Sequence, residues 1–308
     1  MSTVLITGGT GLIGTALTRL LTSKGYDVII LSRSKKSGKT QPGISYAQWN
    51  VEEGLIDAEA ISKADYVIHL AGAGVADKRW TEARKNELVI SRTQSSALLL
   101  RGLKEIPNHV KTVISSSAIG WYGPDTAESL QCGFTEEMHH DNSFLSETCR
   151  LWEASIEPVA DLGIRLVKLR TGIVLSKTGG ALAEFRKPLA AGVAAILGNG
   201  SQVVSWIHID DLCNLFIYAM EHASLQGTYN AVAPYPVSNK TLTLTLARKV
   251  RGRFFIPVYV PSFILKIVLG EMSIEVLKSA KVSAAKIQNA GFVFQYPDIG
   301  SALNDLAG

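Results

Sequence analysis

The chain is poor in the features that mark disulfide-linked, metal-binding or membrane-spanning proteins. Its 308 residues include three cysteines, Cys132, Cys149 and Cys213, whose odd number and wide spacing favour reduced thiols over a disulfide framework or a zinc site. The most apolar tract, residues 254–269, contains two prolines and a lysine, so it lacks the roughly 20 unbroken apolar residues of a membrane-spanning helix. We expect neither a metal nor a membrane partner, and we predict that this tract is buried core.

The chain also has little excess of charge of either sign. The sequence has 31 Lys and Arg against 27 Asp and Glu, a net charge of +4, and this balance indicates no basic footprint for nucleic acid. Met1 runs directly into an apolar strand and a glycine loop, without the basic start and cleavage site of a signal peptide. We therefore expect a cytoplasmic protein whose partner is a small molecule.

The order of apolar runs predicts an α/β fold. Short β-branched runs alternate with helical-period stretches over the first 170 residues, a pattern typical of a parallel, doubly wound sheet covered by helices on both faces. The clearest helices are predicted at residues 12–23, 82–103 and 144–162, where apolar residues return every three or four positions. The strands are predicted at residues 3–7, 27–31, 45–49, 66–70, 112–116 and 165–170.

A glycine-rich loop joins the first predicted strand to the first predicted helix. It reads Thr7-Gly8-Gly9-Thr10-Gly11-Leu12-Ile13-Gly14. Gly8 permits a sharp turn, Gly11 lets the backbone approach a pyrophosphate, and Gly14 lets the helix pack on the sheet. The helix N-terminus offers free N–H groups to an anion, so strand, loop and helix together predict a dinucleotide site of the Rossmann type. A glycine-rich turn without a ligand is the alternative.

The end of the second predicted strand decides which dinucleotide is expected. NAD-binding proteins carry an Asp or Glu there for the ribose 2′-hydroxyl, but this chain reads Leu31-Ser32-Arg33-Ser34. Arg33 can place a planar cation against a 2′-phosphate, and Ser32 and Ser34 can donate hydrogen bonds to it. The sequence favours NADP(H), with a solvated basic loop as the other interpretation.

Beyond Thr171 the regular alternation of strands and helices ends. Short strands mix with helices there, which indicates a smaller second lobe. No stretch rich in Pro, Gly and Ser separates the two parts, so they are predicted to pack tightly. We predict that residues 1–172 form an NADP-binding Rossmann domain and that residues 209–232 return to this domain. Residues 173–208 and 233–308 form a smaller α/β C-terminal lobe that holds the substrate.

Further motifs run nearly from end to end of the chain. Besides the glycine loop they are Leu70-Ala71-Gly72-Ala73, Ile90-Ser91-Arg92, Ser115-Ser116-Ser117-Ala118, Trp152-Glu153-Ala154, Arg170-Thr171-Gly172-Ile173-Val174-Leu175, Trp206-Ile207-His208-Ile209-Asp210-Asp211-Leu212, Asn230-Ala231-Val232-Ala233-Pro234 and Gly291-Phe292. As a set they resemble the extended short-chain dehydrogenase/reductase family. The resemblance is closer to its atypical branch, the YfcH-like sugar-nucleotide epimerase family of the NAD-dependent epimerase/dehydratase superfamily.

The resemblance implies further cofactor contacts. Leu70 and Ala71 would line the adenosine side, Glu87 and Arg92 would reach in from the next helix, and Ile173 would lie beside the nicotinamide. A guanidinium such as that of Arg92 suits a pyrophosphate, although a helix-surface cation is the alternative. The full set of expected cofactor contacts is Gly8, Thr10, Gly11, Leu12, Ile13, Gly14, Ser32, Arg33, Ser34, Leu70, Ala71, Gly72, Glu87, Arg92, Ser115, Ser116, Arg170 and Ile173.

The catalytic residues match the family less well. Ser117 matches its catalytic serine, with a turn hydroxyl as the alternative. Standard members add a Tyr with a Lys four residues later as the proton donor, but none of the nine tyrosines here has such a Lys, and the two positions fall near Leu145 and Cys149. Tyr122 is the candidate substitute, and aromatic packing is the competing interpretation of that residue.

A second departure concerns the substrate. Many extended members carry an Arg for the diphosphate of a nucleotide sugar, and Val204 stands in its place here. A compact or apolar substrate, such as a small carbonyl compound, is therefore at least as well supported as a nucleotide sugar. We predict NADP(H)-dependent oxidoreductase or epimerase-like chemistry; the alternative is a catalytically silent module that senses NADP(H) and acts through a protein partner. The resemblance also implies a homodimer built on helices 82–103 and 144–162.

Overall fold

A computed structural model describes residues 2–33 and 41–307, and there the chain forms an α/β fold around one dominant sheet. The strands of this part are β1 (Thr3–Thr7), β2 (Asp27–Ser32), β3 (Ile44–Asn50), β4 (Leu55–Ile56), β5 (Tyr66–His69), β6 (Thr112–Ala118), β7 (Arg165–Thr171), β8 (Ile173–Ser176), β9 (Gly179–Gly180), β10 (Val193–Leu197), β11 (Val203–Val204), β12 (Trp206–His208), β13 (Gly227–Ala231), β14 (Val237–Ser238) and β15 (Ile256–Val260).

Helices connect these strands. They are α1 (Leu12–Ser23), α2 (Ala58–Lys63), α3 (Glu82–Glu105), α4 (Ala127–Cys132), α5 (Phe144–Ile156), α6 (Ala181–Ala190), α7 (Ile209–Glu221), α8 (Asn239–Arg251), α9 (Ser262–Leu269), α10 (Ser273–Leu277), α11 (Ala285–Asn289) and α12 (Ile299–Ala307). Short 3₁₀ segments span Ile119–Trp121, Glu157–Leu162 and Gly270–Met272. Among the helices of the described ranges, we find none with both the length and the apolar character needed to cross a bilayer.

The main sheet has the strand order β13-β7-β6-β5-β1-β2-β3-β4. Its neighbouring strands are parallel except for the β3–β4 hairpin. The chain runs outward from β1 through β2 and β3 and then returns to β5 on the other side of β1. This reversal opens a crevice beyond the carboxyl ends of β1 and β5, the usual ligand position in an open α/β sheet. The α/β fold with a parallel, doubly wound sheet is thus confirmed.

Helices bury an apolar stripe against each face of the sheet. On one face, Leu17 and Leu21 of α1 pack in the same cluster as Leu212 and Phe216 of α7. In both helices the two residues are four positions apart and therefore lie on one side. The other face is covered by α2 and α3, with Leu99 of α3 fully buried. The crevice is consequently held between well-packed elements.

The smaller lobe is made of short sheets and helices. β10 pairs with β15, β11 with β14, and β8 with both β12 and β9. Its core includes Leu182, Trp206, Leu242 and Leu303. β13 lies in the main sheet beside β7, within the predicted return of residues 209–232. The exact division into domains stays a prediction.

The long elements of the first half match the sequence prediction within a few residues. The predicted helix over residues 144–162 is instead α5 followed by a 3₁₀ segment, because Pro158 lies at the start of that segment and lacks the N–H that would continue an α-helix. The prediction of buried core for residues 254–269 is wrong. Phe254 is 88% exposed and Ile267 68% exposed, because β15 is an edge strand of a two-stranded sheet and α9 buries only Leu265.

Candidate functional site

The glycine loop has the close packing that a phosphate-binding turn needs. Gly8 has φ +68°, and a Cβ there would lie 2.8 Å from the carbonyl oxygen of Leu70. A Cβ on Gly14 would lie 2.4 Å from the carbonyl oxygen of Gly8. Side chains are therefore excluded at both positions, and the loop after β1 lies directly against the chain after β5.

The N-terminus of α1 is open to an anion. Gly11 is its N-cap residue and makes no side-chain cap, and the first turn contains no acidic residue. Thr10 and Gly11 are exposed, while Leu12 and Ile13 are partly buried. The free N–H groups and the positive end of the helix dipole thus face the crevice without a competing side chain. This arrangement fits a diphosphate.

The predicted specificity residues lie at the carboxyl end of β2, next to the glycine loop. Ser32 is the last residue of β2 and is partly buried, and Arg33 follows with an exposed side chain. Leu31 is the register partner of Thr7 on β1, so Arg33 lies at the same sheet edge as the loop. Ser34 lies outside the described residues.

The chain after β5 forms the opposite wall of the crevice. Thr7 Oγ1 accepts hydrogen bonds from the backbone N–H groups of Leu70 (3.1 Å) and Ala71 (3.2 Å). Leu70 and Ala71 are partly buried and Gly72 is exposed. The side chain of Thr7 thereby fixes the start of this wall.

The guanidinium of Arg92 is mostly occupied by contacts within the protein. It is 8% exposed, donates to the carbonyl oxygens of Leu88 (2.8 Å) and Ala73 (3.0 Å), and lies 4.9 Å from the centre of the Trp152 ring. A Cβ on Gly72 would lie 3.2 Å from its side chain. Arg92 therefore holds the loop after β5, so the alternative of a surface cation does not describe it. Its contact with a cofactor stays a prediction.

Glu87 has a different environment from the other expected contacts. Its side chain is 52% exposed and pairs with Arg84 at 2.7 Å. This pairing with Arg84 lowers the pKa of Glu87. The carboxylate thus already has a cation partner on its own helix, and a role toward a cofactor rests only on the resemblance.

Three successive serines, followed by Ala118, lie at the carboxyl end of β6, at the same sheet edge. Ser115 and Ser116 donate to the backbone carbonyl oxygens of their next residues at 3.2 and 3.4 Å. Ser117 donates to Glu153 Oε1 at 2.7 Å and is 2% exposed. The hydroxyl hydrogen of Ser117 is therefore committed to a carboxylate, and its oxygen is left to accept.

Glu153 lies on α5 and pairs with Arg170 of β7. The Arg170 Nε–Glu153 Oε1 distance is 2.8 Å, and the Nη2–Oε2 distance is 3.1 Å. Burial alone would lower the pKa of Arg170, but the hydrogen bond and charge of Glu153 outweigh it and raise that pKa. The sequence prediction placed Arg170 among the cofactor contacts and missed Glu153 as its partner. An acid on the buried face of a helix and a cation inside an apolar strand are the signals that could have paired them.

Tyr122 lies at the far side of the same network. It is fully buried, stacks on Phe134 with ring centres 5.0 Å apart, and donates to Asn230 Oδ1 at 2.8 Å. Its hydroxyl also accepts from Arg170 Nη1 at 3.1 Å. Burial raises the pKa of Tyr122 to about 12. These contacts match aromatic packing, the competing interpretation, and leave its oxygen little capacity to serve a substrate.

The positions of the missing catalytic pair are apolar and closely packed. A Cβ on Gly120 would lie 3.3 Å from Leu145 Cβ and 3.4 Å from Cys149 Sγ. Burial raises the pKa of Cys149 to about 12. Leu145 has no ionisable group and burial makes the Cys149 thiol a weaker acid than usual, so neither replaces the missing phenol and ammonium, in agreement with the departure seen in the sequence.

The predicted nicotinamide contact, Ile173, lies at the start of β8. Ile173 is 38% exposed there, and its strand pairs with β12. Val204 is partly buried on β11, whereas Trp206 is fully buried in the core of the smaller lobe. Ile173 thus offers an apolar surface at the junction of the two lobes.

His208 has a structural role at the start of α7. Its Nδ1 accepts from the backbone N–H of Asp210 at 3.1 Å and caps the helix. Nδ1 therefore lacks a hydrogen, and the ring carries its hydrogen on Nε2, which lies 3.4 Å from Asp305 Oδ2. The orientation is that of a helix-capping histidine.

The chain was compared with known proteins. It matches the model of the NAD dependent epimerase/dehydratase family over residues 4–232 and a domain of unknown function, DUF1731, over residues 260–306. The epimerase family protein YfhF of Bacillus subtilis is 36% identical and covers 98% of this chain and 97% of its own. A Staphylococcus haemolyticus epimerase family protein is 34% identical over 99% of both chains.

Solved structures give the same grouping. The human epimerase family protein SDR39U1, isoform 2 with NADPH, has a TM-score of 0.85 at 31% identity, with 99% of both chains covered. UDP-glucose 4-epimerase of Thermotoga maritima shares the fold, with a TM-score of 0.77 at 21% identity over 98% of this chain and 97% of that one. This chain therefore belongs to the NAD-dependent epimerase/dehydratase family, in its atypical extended short-chain dehydrogenase/reductase branch.

Proposed function

We propose that the protein binds NADP(H) in the crevice between β1 and β5. The observation that carries the proposal is the uncapped N-terminus of α1, where the packing of Gly8 and Gly14 excludes side chains. Arg33 follows β2 at the same edge, where a carboxylate would select NAD. The NADPH in the human relative SDR39U1 supports the same preference.

Calorimetry with NADPH and NADH tests this preference. In the proposal, Arg33→Glu weakens NADPH by about 100-fold and NADH little, because a bidentate, charge-assisted contact is replaced by repulsion from the 2′-phosphate. Arg19→Glu is the matched control, since Arg19 is an exposed cation on α1 and its replacement changes the net charge equally. No NADPH binding, or an unchanged NADPH-to-NADH ratio in Arg33→Glu, would refute the proposal.

We further propose NADP(H)-dependent oxidoreductase or epimerase-like chemistry on a compact or apolar substrate. Nicotinamide, when bound, supplies hydride transfer at its C4. Ser117 would orient the reacting group. Because its own hydrogen is given to Glu153, its oxygen suits a substrate hydroxyl that donates. Ile173 would provide an apolar contact beside that group.

A second candidate is a catalytically silent NADP(H)-sensing module that acts through a protein partner. The burial of Tyr122 and the apolar contact between Leu145 and Gly120 favour it, because they leave no phenol or ammonium at the usual place of the proton donor. Such a module needs the cofactor site but not proton transfer.

One assay separates these two functions. Substrate-dependent NADPH loss across a carbonyl panel, abolished in Ser117→Ala and kept in Ser155→Ala, would establish the enzyme. Ser155 donates only to a backbone carbonyl on its own helix, so it is a matched control. NADPH binding without any turnover would support the sensor. The homodimer through α3 and α5 stays a prediction that sedimentation can test.

A further inference from the structure

Large apolar side chains are exposed along one stretch of the smaller lobe. Phe254 is 88% exposed, Ile256 68%, Phe263 62%, Ile267 68% and Val268 65%. These five residues, which we call the apolar face, come from β15 and α9 and the segment before β15. Side chains of this size at such exposure are unusual in contiguous sequence on a soluble surface and mark an interaction site.

The same part of the chain carries cations without acids. From residue 222 to residue 270 the sequence contains no Asp or Glu, although the whole chain is nearly balanced in charge. Its six Lys and Arg side chains are exposed, and none forms an ion pair with an acid in the described ranges. They are Lys240, Arg248, Lys249, Arg251, Arg253 and Lys266.

Cations adjoin the apolar face at two points in the sequence. Arg253 immediately precedes Phe254, and Lys266 precedes Ile267 on α9. A long cationic side chain beside apolar residues can keep its charge at a lipid headgroup while its stem stays in apolar surroundings.

We propose that the apolar face docks on an anionic phospholipid bilayer. Phe263 and Ile267 are four residues apart on α9, as are Ile264 and Val268, so they share one side of the helix. A helix that presents apolar side chains together with basic residues lies in the interface of an anionic membrane. This placement departs from the expectation of no membrane partner, which rested on the lack of a run long enough to span a bilayer. An interfacial helix needs no such run, and the tract that was expected to be buried core is exposed.

Charge argues against a second copy of this chain as the occupant. A symmetric dimer through the apolar face would place the same surface of each copy against the other. The cations of both copies, including Arg253 and Lys266, would then meet, and the acid that follows α9, Glu271, already pairs with Lys85. An anionic bilayer supplies the charge that balances these cations.

Co-sedimentation of the full chain with vesicles tests the proposal. We expect binding to vesicles of phosphatidylcholine mixed with phosphatidylglycerol, little binding to phosphatidylcholine alone, and a steep loss of binding as salt is raised. Arg253→Glu should weaken partitioning by about tenfold. Arg19→Glu, which changes the net charge equally but lies on α1, should change it little.

A second pair of variants tests the apolar part. Ile267→Asp should abolish binding, whereas Val293→Asp should not, although Val293 is 85% exposed and undergoes the same substitution. In Phe263→Trp, a nearly conservative change, vesicles with brominated acyl chains should quench the added fluorescence. Absence of that quenching, equal binding to neutral vesicles, or a dimer in sedimentation that Ile267→Asp dissociates would overturn the proposal. These results do not depend on NADP(H) binding.

Discussion

The carboxylate of Glu153 and the guanidinium of Arg170 form a buried, two-point ion pair. Their side chains are 6% and 3% exposed, and Ser117 donates to the same carboxylate at 2.7 Å. The three residues come from α5, β7 and β6. The pair therefore ties a helix to two adjacent strands at the sheet edge where the candidate site lies, and it fixes the serine that matches the catalytic one.

Removal of this pair should be costly to stability. Glu153→Gln leaves Arg170 buried without a counter-charge, and we expect a loss of about 3–5 kcal/mol in the free energy of unfolding. Urea unfolding measures it. The control is Glu147→Gln, since Glu147 pairs with Arg150 at 2.6 Å in an exposed setting, and such pairs contribute little. Equal losses in the two variants would contradict a structural role for the buried pair.

The stability of the fold should fall in mild acid because of His69. Burial lowers the pKa of this fully buried ring from 6.5 to about 4. The hydroxyl of Thr7 accepts two backbone N–H groups and donates to Nδ1 at 2.7 Å, so Nε2 carries the ring hydrogen toward Ser96 at 3.2 Å. A second proton on Nδ1 would break the Thr7 bond.

The direction of this pH effect follows from the difference in proton binding between the folded and the unfolded chain. Between pH 6.5 and 4 the unfolded chain binds a proton on this residue and the folded chain does not, so stability is lost as the pH falls, by up to about 3 kcal/mol. Urea midpoints at pH 7.5 and pH 4.5 should show the loss, and His69→Gln should reduce it. His222→Gln is the control because His222 is exposed. A pH slope that His69→Gln leaves intact would rule out this source.

The three thiols should differ sharply in reactivity. Burial raises the pKa of Cys149 and of Cys213 to about 12, whereas Cys132 is exposed. Because the thiolate is the reactive form, Ellman's reagent should titrate one thiol per native chain at pH 8 and three in denaturant. Cys132→Ser should remove the native reaction. If two or three thiols reacted rapidly in the native chain, the helices that carry Cys149 and Cys213 would have to open readily.

Local patterns predicted the loop between β1 and α1 well. The glycine loop, β1 and α1 form a continuous local unit, so Gly8, Gly11 and Gly14 could be placed from spacing alone. The Glu153–Arg170 pair joins residues 17 positions apart, and Asn230 reaches Tyr122 across 108 positions. No local period encodes such contacts, which arise only when β6, β7 and β13 become neighbours in the sheet.

For the apolar tract of residues 254–269, the sequence led to a wrong prediction of burial. Composition suggested burial, because apolar residues usually lie inside. Burial, however, depends on what packs against a segment, and the small lobe has no element in the described ranges that covers β15 and the outer side of α9. Hydropathy alone could not separate an interior segment from an exposed apolar face.

The open N-terminus of α1 allows a substitution with opposite effects on stability and binding. Gly11 has φ −77° and ψ 179°, an N-cap conformation that Asp adopts readily. A Cβ there would meet only the carbonyl oxygen of Gly8, at 3.4 Å. In Gly11→Asp, the new carboxylate should cap α1, favour its dipole and raise the free energy of unfolding by about 0.5–1 kcal/mol.

The same carboxylate would stand where a diphosphate is expected. Like charges in contact cost several kcal/mol, so Gly11→Asp should weaken NADPH by at least about 100-fold while the cofactor-free protein becomes more stable. Ser143→Asp is the control: it adds the same charge at the N-terminus of α5, which also lacks a side-chain cap, and should leave NADPH affinity nearly unchanged. Urea unfolding without ligand and calorimetry with NADPH measure the two effects. If Gly11→Asp bound NADPH normally, the anion would lie elsewhere, because a carboxylate at the head of α1 cannot share that position with a phosphate.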